Sequence, residues 1–203
     1  MPSPFLRRSA AVLVILANVR SAQALQQDLA INDIADPTIR AELLELGGYQ
    51  ELVQEFQPGT LVPVPLVHGS AFALTFRDAG IRVQVESLPF APVPAPKRGA
   101  DGWKLEGRPV IGWTPGDAHT RLARVELVLD GRVSALPPAQ WLDVVDAPLL
   151  LHDVPYASVM RSSDGWRTYV HLQAGEGADG RMITWVFEDG MFRFRVLDQA
   201  PLW

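Results

Sequence analysis

Between Arg181 and Leu197 the chain reads RMITWVFEDGMFRFRVL, two alternating runs on either side of Asp189-Gly190. No other stretch restricts the fold so tightly, because Asp-Gly between alternating runs specifies a two-residue type I′ hairpin. A regular hairpin on that turn sets Glu188 opposite Met191, Phe187 opposite Phe192, Trp185 opposite Phe194 and Ile183 opposite Val196. Successive side chains leave opposite faces of a strand, so the last three pairs form one aromatic and branched ladder. The other face then carries Val186 with Arg193 and Thr184 with Arg195. One face is core and the other is wet.

Asp-Gly recurs at 101, 130, 164 and 179 as well as 189, each time between apolar or alternating runs. That recurrence predicts an antiparallel meander. Arg124 to Leu129 and Arg132 to Leu136 form one hairpin, Tyr156 to Ser163 and Trp166 to Gln173 another, and the last four strands make one up-and-down sheet. Ala139 to Leu142 is short enough for a single helical turn. The fold class is mainly β: an antiparallel sandwich or partly closed barrel with a C-terminal meander and a short helical N-terminal segment.

Residues 25–60 form that helical segment. Asp36 can cap a helix that Pro37 opens, with Ile39, Leu43, Leu44 and Leu46 as its apolar stripe and Gly47-Gly48 as its stop. A second helical turn or two over Tyr49 to Phe56 ends at Pro58-Gly59, and the helix reads as a cap on the edge or end of a sheet. Residues 61–203 are the antiparallel β domain. Pro63 and Pro65 confine Leu61 to Val67 to an edge, because proline cannot donate to a ladder. Phe72 to Arg77 and Ile81 to Leu88 form a hairpin through Asp78-Ala79-Gly80. The proline-rich residues 89–96 are stiff and extended, and are expected to cross from one sheet to the other.

The first 24 residues have the layout of a signal peptide. Arg7-Arg8 precede the apolar run Ser9 to Val19, and Ala22-Gln23-Ala24 supplies the small residues of a cleavage site. An apolar run of about 11 residues is too short to span a bilayer of roughly 30 Å. The expectation is a secreted or periplasmic protein beginning near Leu25, with no transmembrane segment after processing. Removal of Arg7, Arg8 and Arg20 leaves 15 basic against 23 acidic residues, a net charge of −8. Such a chain repels phosphate backbones, which argues against nucleic acid. With no cysteine, thiol catalysis, thiolate metal sites and disulfides are excluded.

Few residues suggest catalysis. His68, His119, His152 and His171 are scattered, with no pair at i+2 or i+4, so no metal site and no cofactor is expected. Ser70 lacks a nucleophile-elbow motif. Glu86, Glu106 and Glu126 lie on strand-like runs but have no distinguishing context as a glycosidase pair. Gly175 to Gly180 lacks the Lys-Ser/Thr of a phosphate loop and the ligand count of a calcium loop, and reads as a hairpin loop.

Binding is the better expectation. With Trp166, Thr168, Val170 and Leu172 inward, Arg167, Tyr169, His171 and Gln173 face outward, joined by Arg193 and Arg195. Arginine and tyrosine are favoured at binding hot spots. Trp103 and Trp113, in Gly-rich surroundings, add two rings suited to stacking. The reading is an exported, non-catalytic β domain that binds a protein, peptide or cell-envelope polysaccharide through its C-terminal sheet. Its rival is a small exported hydrolase, metal-dependent in one version, using His119, His152 or His171.

Overall fold

In the computed structural model, residues 28–47, 61–116, 119–175 and 179–199 are described. The expected signal peptide, the turn over Tyr49 to Phe56 and the C-terminal Trp203 lie outside them. The helix α1 (Pro37–Leu46) forms as its residues dictate, with the Asp36 carboxylate accepting from the backbone N–H of Thr38 and Ile39. The strands that follow it pair antiparallel.

The strands of the larger sheets follow the period-two pattern. β1 (Val62–Pro63), β12 (Ala157–Arg161), β13 (Arg167–Ala174), β14 (Arg181–Glu188) and β15 (Met191–Gln199) form the C-terminal sheet in the order β1-β12-β13-β14-β15. β2 (Leu66–Ser70), β3 (Ala73–Asp78), β4 (Ile81–Phe90), β8 (His119–Leu129) and β9 (Arg132–Ala135) form the N-terminal sheet in the order β2-β3-β4-β8-β9. β5 (Lys97–Gly99), β6 (Gly102–Leu105) and β7 (Arg108–Pro109) make a small three-stranded finger. β10 (Leu150–Leu151) and β11 (Val154–Pro155) make a short hairpin.

The two large sheets pack as a sandwich, and neither closes into a barrel. Leu74, Val83, Val85, Leu122 and Leu127 from one sheet meet Val159, Val170, Leu172, Ile183 and Trp185 from the other. The outer face of the N-terminal sheet is the wet one: Arg124 bridges Glu126 on its own strand at 2.6 Å and Glu86 on neighbouring β4 at 3.5 Å. Two of the Asp-Gly turns have the backbone their dipeptide prefers, with positive φ at Asp130 and Gly131 and at Asp189 and Gly190. The 3₁₀ turn Pro138–Gln140 stands beside the expected single helical turn.

Three expectations need correction. The proline-rich run does not cross between sheets: β4 and β8 are neighbours in one sheet, and the chain between them leaves only to build the β5–β7 finger. The crossings fall instead at Val64-Pro65 and in the segment between β9 and β12.

The final hairpin is also not regular. Phe187 faces Phe192 as expected, but Val186 then faces Phe194 and Trp185 faces Arg195, so Arg193 is a bulge. One extra residue on one strand flips every later side chain to the opposite face. Arg195 thereby joins the Trp185 side, and Phe194 and Val196 turn outward with Val186.

That outward face is the third correction, because it is not wet. Ile39 and Leu43 of α1 lie over Tyr169, Val186 and Val196 as a second core. Ahead of the helix, Leu29 pairs with Val196 alongside β15, with Leu29 N–H donating to Arg195 O and Leu197 N–H to Leu29 O. The helix clads the face of the sheet rather than its edge. Trp166, expected inside, is 49% exposed just before β13.

Candidate functional site

Pairing across β12, β13 and β14 sets the outer face of the C-terminal sheet in rows. Met160, Tyr169 and Val186 form one row, and Ser158, His171 and Thr184 the next. Gln173 and Met182 follow. The helix covers the first of these rows; beyond it Ser158, Gln173 and Met182 are partly exposed, while His171 and Thr184 are buried.

Under the helix, Glu42 is buried and accepts two hydrogen bonds from Arg167, Nε at 2.8 Å and Nη2 at 2.9 Å. The Tyr169 hydroxyl donates to the same carboxylate. Burial and the neighbouring Glu42 hold Tyr169 far above the usual phenol range, so it stays a neutral donor. These two proposed binding residues are structural, since their polar atoms are spent on α1. Arg195 is likewise enclosed. Its guanidinium bridges Asp143 at 2.8 and 2.9 Å and Asp28 at 2.7 Å, and donates to Gln140 O, which also accepts from Trp185 Nε1. Arg193 is exposed and paired with Glu188 at 2.6 Å.

The expected arginine and tyrosine patch therefore does not exist as a surface. What remains open is a groove of about 380 Å³ beside the β10–β11 hairpin, lined by Pro155, Tyr156, Ser158, His171, Gln173 and Met182 among others. The hairpin supplies its wall through a turn at His152-Asp153, both at positive φ. Its floor is the centre of the sheet.

His171 is the unusual group there. Only 8% of it is exposed, its Nδ1 sits 2.7 Å from Thr184 Oγ1, and its Nε2 has no protein partner among the described residues. Burial lowers its pKa to about 4, so the ring is neutral at neutral pH. A buried polar atom without a partner costs about 1–3 kcal/mol, which makes such an atom in a groove-lining residue informative.

The other candidates separate. Trp113 is buried and stacks on His119 at 3.9 Å between ring centroids. His119 Nδ1 lies 2.8 Å from Asp146 Oδ1 and Nε2 lies 2.9 Å from Gly116 O, so both ring nitrogens already face acceptors. Asp146 also takes the Thr114 N–H on Oδ2 and the Gly175 N–H on its backbone oxygen. The assembly ties three loops together beside a cavity of about 280 Å³. Trp103 is half-buried on the β5–β7 finger, with the Arg98 guanidinium 5.8 Å from its ring.

Chemistry finds little support in the remaining positions. Ser70 Oγ accepts from Phe72 and Ala73 N–H in the β2–β3 turn. Glu86 and Glu126 share Arg124 rather than facing each other across a cleft, and Glu106 sits in a turn at positive φ. Among the described residues, no three His, Asp or Glu side chains converge in a way that could hold a metal ion. No described helix is long and apolar enough to cross a membrane.

Comparison with protein-family models, curated proteins and solved structures returns no match. The groove must be judged on its own residues. Tyr156, Ser158 and Met182 were not singled out from the sequence. Their only signal was the alternation of β12 and β14, and that could not be read as a site without knowing where α1 ends.

Proposed function

We propose that this chain is an exported, non-catalytic β domain that binds a protein, peptide or cell-envelope polymer through its C-terminal sheet, in the groove that α1 leaves open. The observation that carries this reading is His171, which lines the groove and whose buried Nε2 has no protein partner among the described residues. Concave sites with a few polar groups among apolar walls are the usual form of a binding pocket. Of the three histidines of the hydrolase reading, His119 is the one the described hydrogen bonds join to a carboxylate, that of Asp146, and its other ring nitrogen lies against Gly116 O.

The test is capture of envelope polymers and peptides by the purified protein, compared with two variants. Gln173→Arg fills the groove from a half-buried position, and Arg193→Glu alters an exposed ion pair elsewhere. Loss of capture in the first and retention in the second, with both folded, is the expected result. Equal capture by all three proteins would remove the groove from the account.

A further inference from the structure

We infer that the His171 groove takes a neutral, hydroxyl-rich ligand, a saccharide, because its lining offers hydrogen bonds and apolar walls but no charge. This rests on the binding reading above and narrows it to a ligand class. In a chain with 23 acidic and 18 basic residues, the described residues line the groove without a single Asp, Glu, Lys or Arg. An anionic ligand would find no cation there and a cationic one no carboxylate, and an unpaired charge entering such a site is strongly penalised.

The polar groups that are present are all uncharged: the Ser158 hydroxyl, the Gln173 amide, the Tyr156 phenol and the His171 imidazole. His171 Nδ1 faces Thr184 Oγ1, so Nε2 is a donor in one tautomer and an acceptor in the other. A hydroxyl both donates and accepts, and it completes either arrangement.

Geometry disfavours a peptide in two ways. Strand addition needs a run of open sheet edge, whereas β13 and β14 are paired on both sides, and β12 is met by β1 at Met160 and Arg161, by Val64 N–H at Val159 O and by Leu149 O at Tyr156 N–H, which leaves a short open stretch beside Ala157 and Ser158 among the described residues. Recognition of a helix needs a row of apolar pockets at helical spacing, and this lining alternates polar with apolar. Pro155 and Met182 instead offer flat apolar contact for the C–H face of a sugar ring, while the polar groups take its rim.

The experiment is calorimetric titration of the purified protein with three probes: an N-acetylglucosamine tetrasaccharide, a galacturonate tetrasaccharide and tetra-alanine. The neutral tetrasaccharide is expected to bind, at least tenfold more weakly in His171→Leu and in Gln173→Arg and within about fivefold of wild type in His171→Gln. Thermal unfolding of each variant reports whether it folds, and Gln173→Arg carries the test if His171→Leu does not. Binding of the acidic tetrasaccharide or the peptide in place of the neutral one, lost in Gln173→Arg, overturns the saccharide class and leaves the groove standing. Neutral binding that survives both groove variants, or no binding by any probe, overturns the inference. Failure to capture any envelope fraction in the earlier comparison is what brings down the binding reading itself.

Discussion

Arg167 grips Glu42 with two nitrogens, at 2.8 and 2.9 Å, and that pair fixes helix α1 to the outer face of the C-terminal sheet. The pair is buried on the helix side, where Glu42 is 3% exposed, and Tyr169 completes the carboxylate's hydrogen bonds. A basic and aromatic face that looks like a binding surface is thus converted into an internal joint.

Glu42→Leu should cost about 3–5 kcal/mol, because it leaves Arg167 and Tyr169 buried without their acceptor. At roughly 2–4 °C per kcal/mol for a chain of this size, the thermal midpoint falls by about 10 °C. The triple variant Glu42→Leu, Arg167→Met, Tyr169→Phe should recover most of that loss, since apolar replacements of a whole buried ionic cluster are often neutral. A triple variant no better than the single would show that packing, not the unpaired charge, sets the cost.

His171 should impose a pH dependence of known sign. Its folded pKa is lowered to about 4 from 6.5, so the unfolded chain takes up the proton first as pH falls. The contribution is whole above about 6.5, erodes between there and about 4, and is gone below. Its size is on the order of 3 kcal/mol. Urea unfolding at pH 7.5 and pH 4 should show wild type losing about that much more than His171→Gln. Parallel losses would mean that the ring is not enclosed as described.

Gly175 and Gly131 offer a matched comparison, both at positive φ near +71° and +79°. A Cβ on Gly131 meets nothing, whereas one on Gly175 would lie 2.3 Å from Gly112 O. Gly131→Ala should cost about 1–2 kcal/mol from backbone strain alone. Gly175→Ala should cost about 4 kcal/mol or more, since two backbones cannot separate without opening the Asp146 knot. Equal midpoints in denaturant would contradict the close crossing.

Arg195→Met should release the N-terminal strap. The substitution removes the partner of Asp28 and Asp143 and costs about 2–3 kcal/mol. Hydrogen exchange should accelerate at the amides of Leu29 and Leu197, which bond across the strap, while the β13–β14 ladder keeps its protection. Unchanged exchange at Leu29 would show that its strand pairing holds without the arginine.

Local chemistry made the hairpins legible. Asp130-Gly131 and Asp189-Gly190 needed only their own dipeptides, and α1 needed only Asp36, Pro37 and its stripe. The bulge at Arg193 was not legible, because its reason lies in what covers each face: it turns Phe194 and Val196 toward α1 and Arg195 toward Asp143. One residue did carry the missing information. Glu42 falls among Ile39, Leu43 and Leu46 on one helical face, and a carboxylate inside an apolar stripe requires a buried cation. That requirement points to the arginines of the sheet, and with them covered the open surface shrinks to the His171 row.

The central claim is that α1 clads half of this face and leaves the His171 groove as the binding surface. Backbone amide shifts, followed by NMR while the N-acetylglucosamine tetrasaccharide is added, test it most directly. Changes confined to Tyr156, Ser158, His171, Gln173 and Met182, with Arg167 and Tyr169 undisturbed, are the predicted result. Changes centred on the outer face of the N-terminal sheet or on the β5–β7 finger, or none at all, would contradict it.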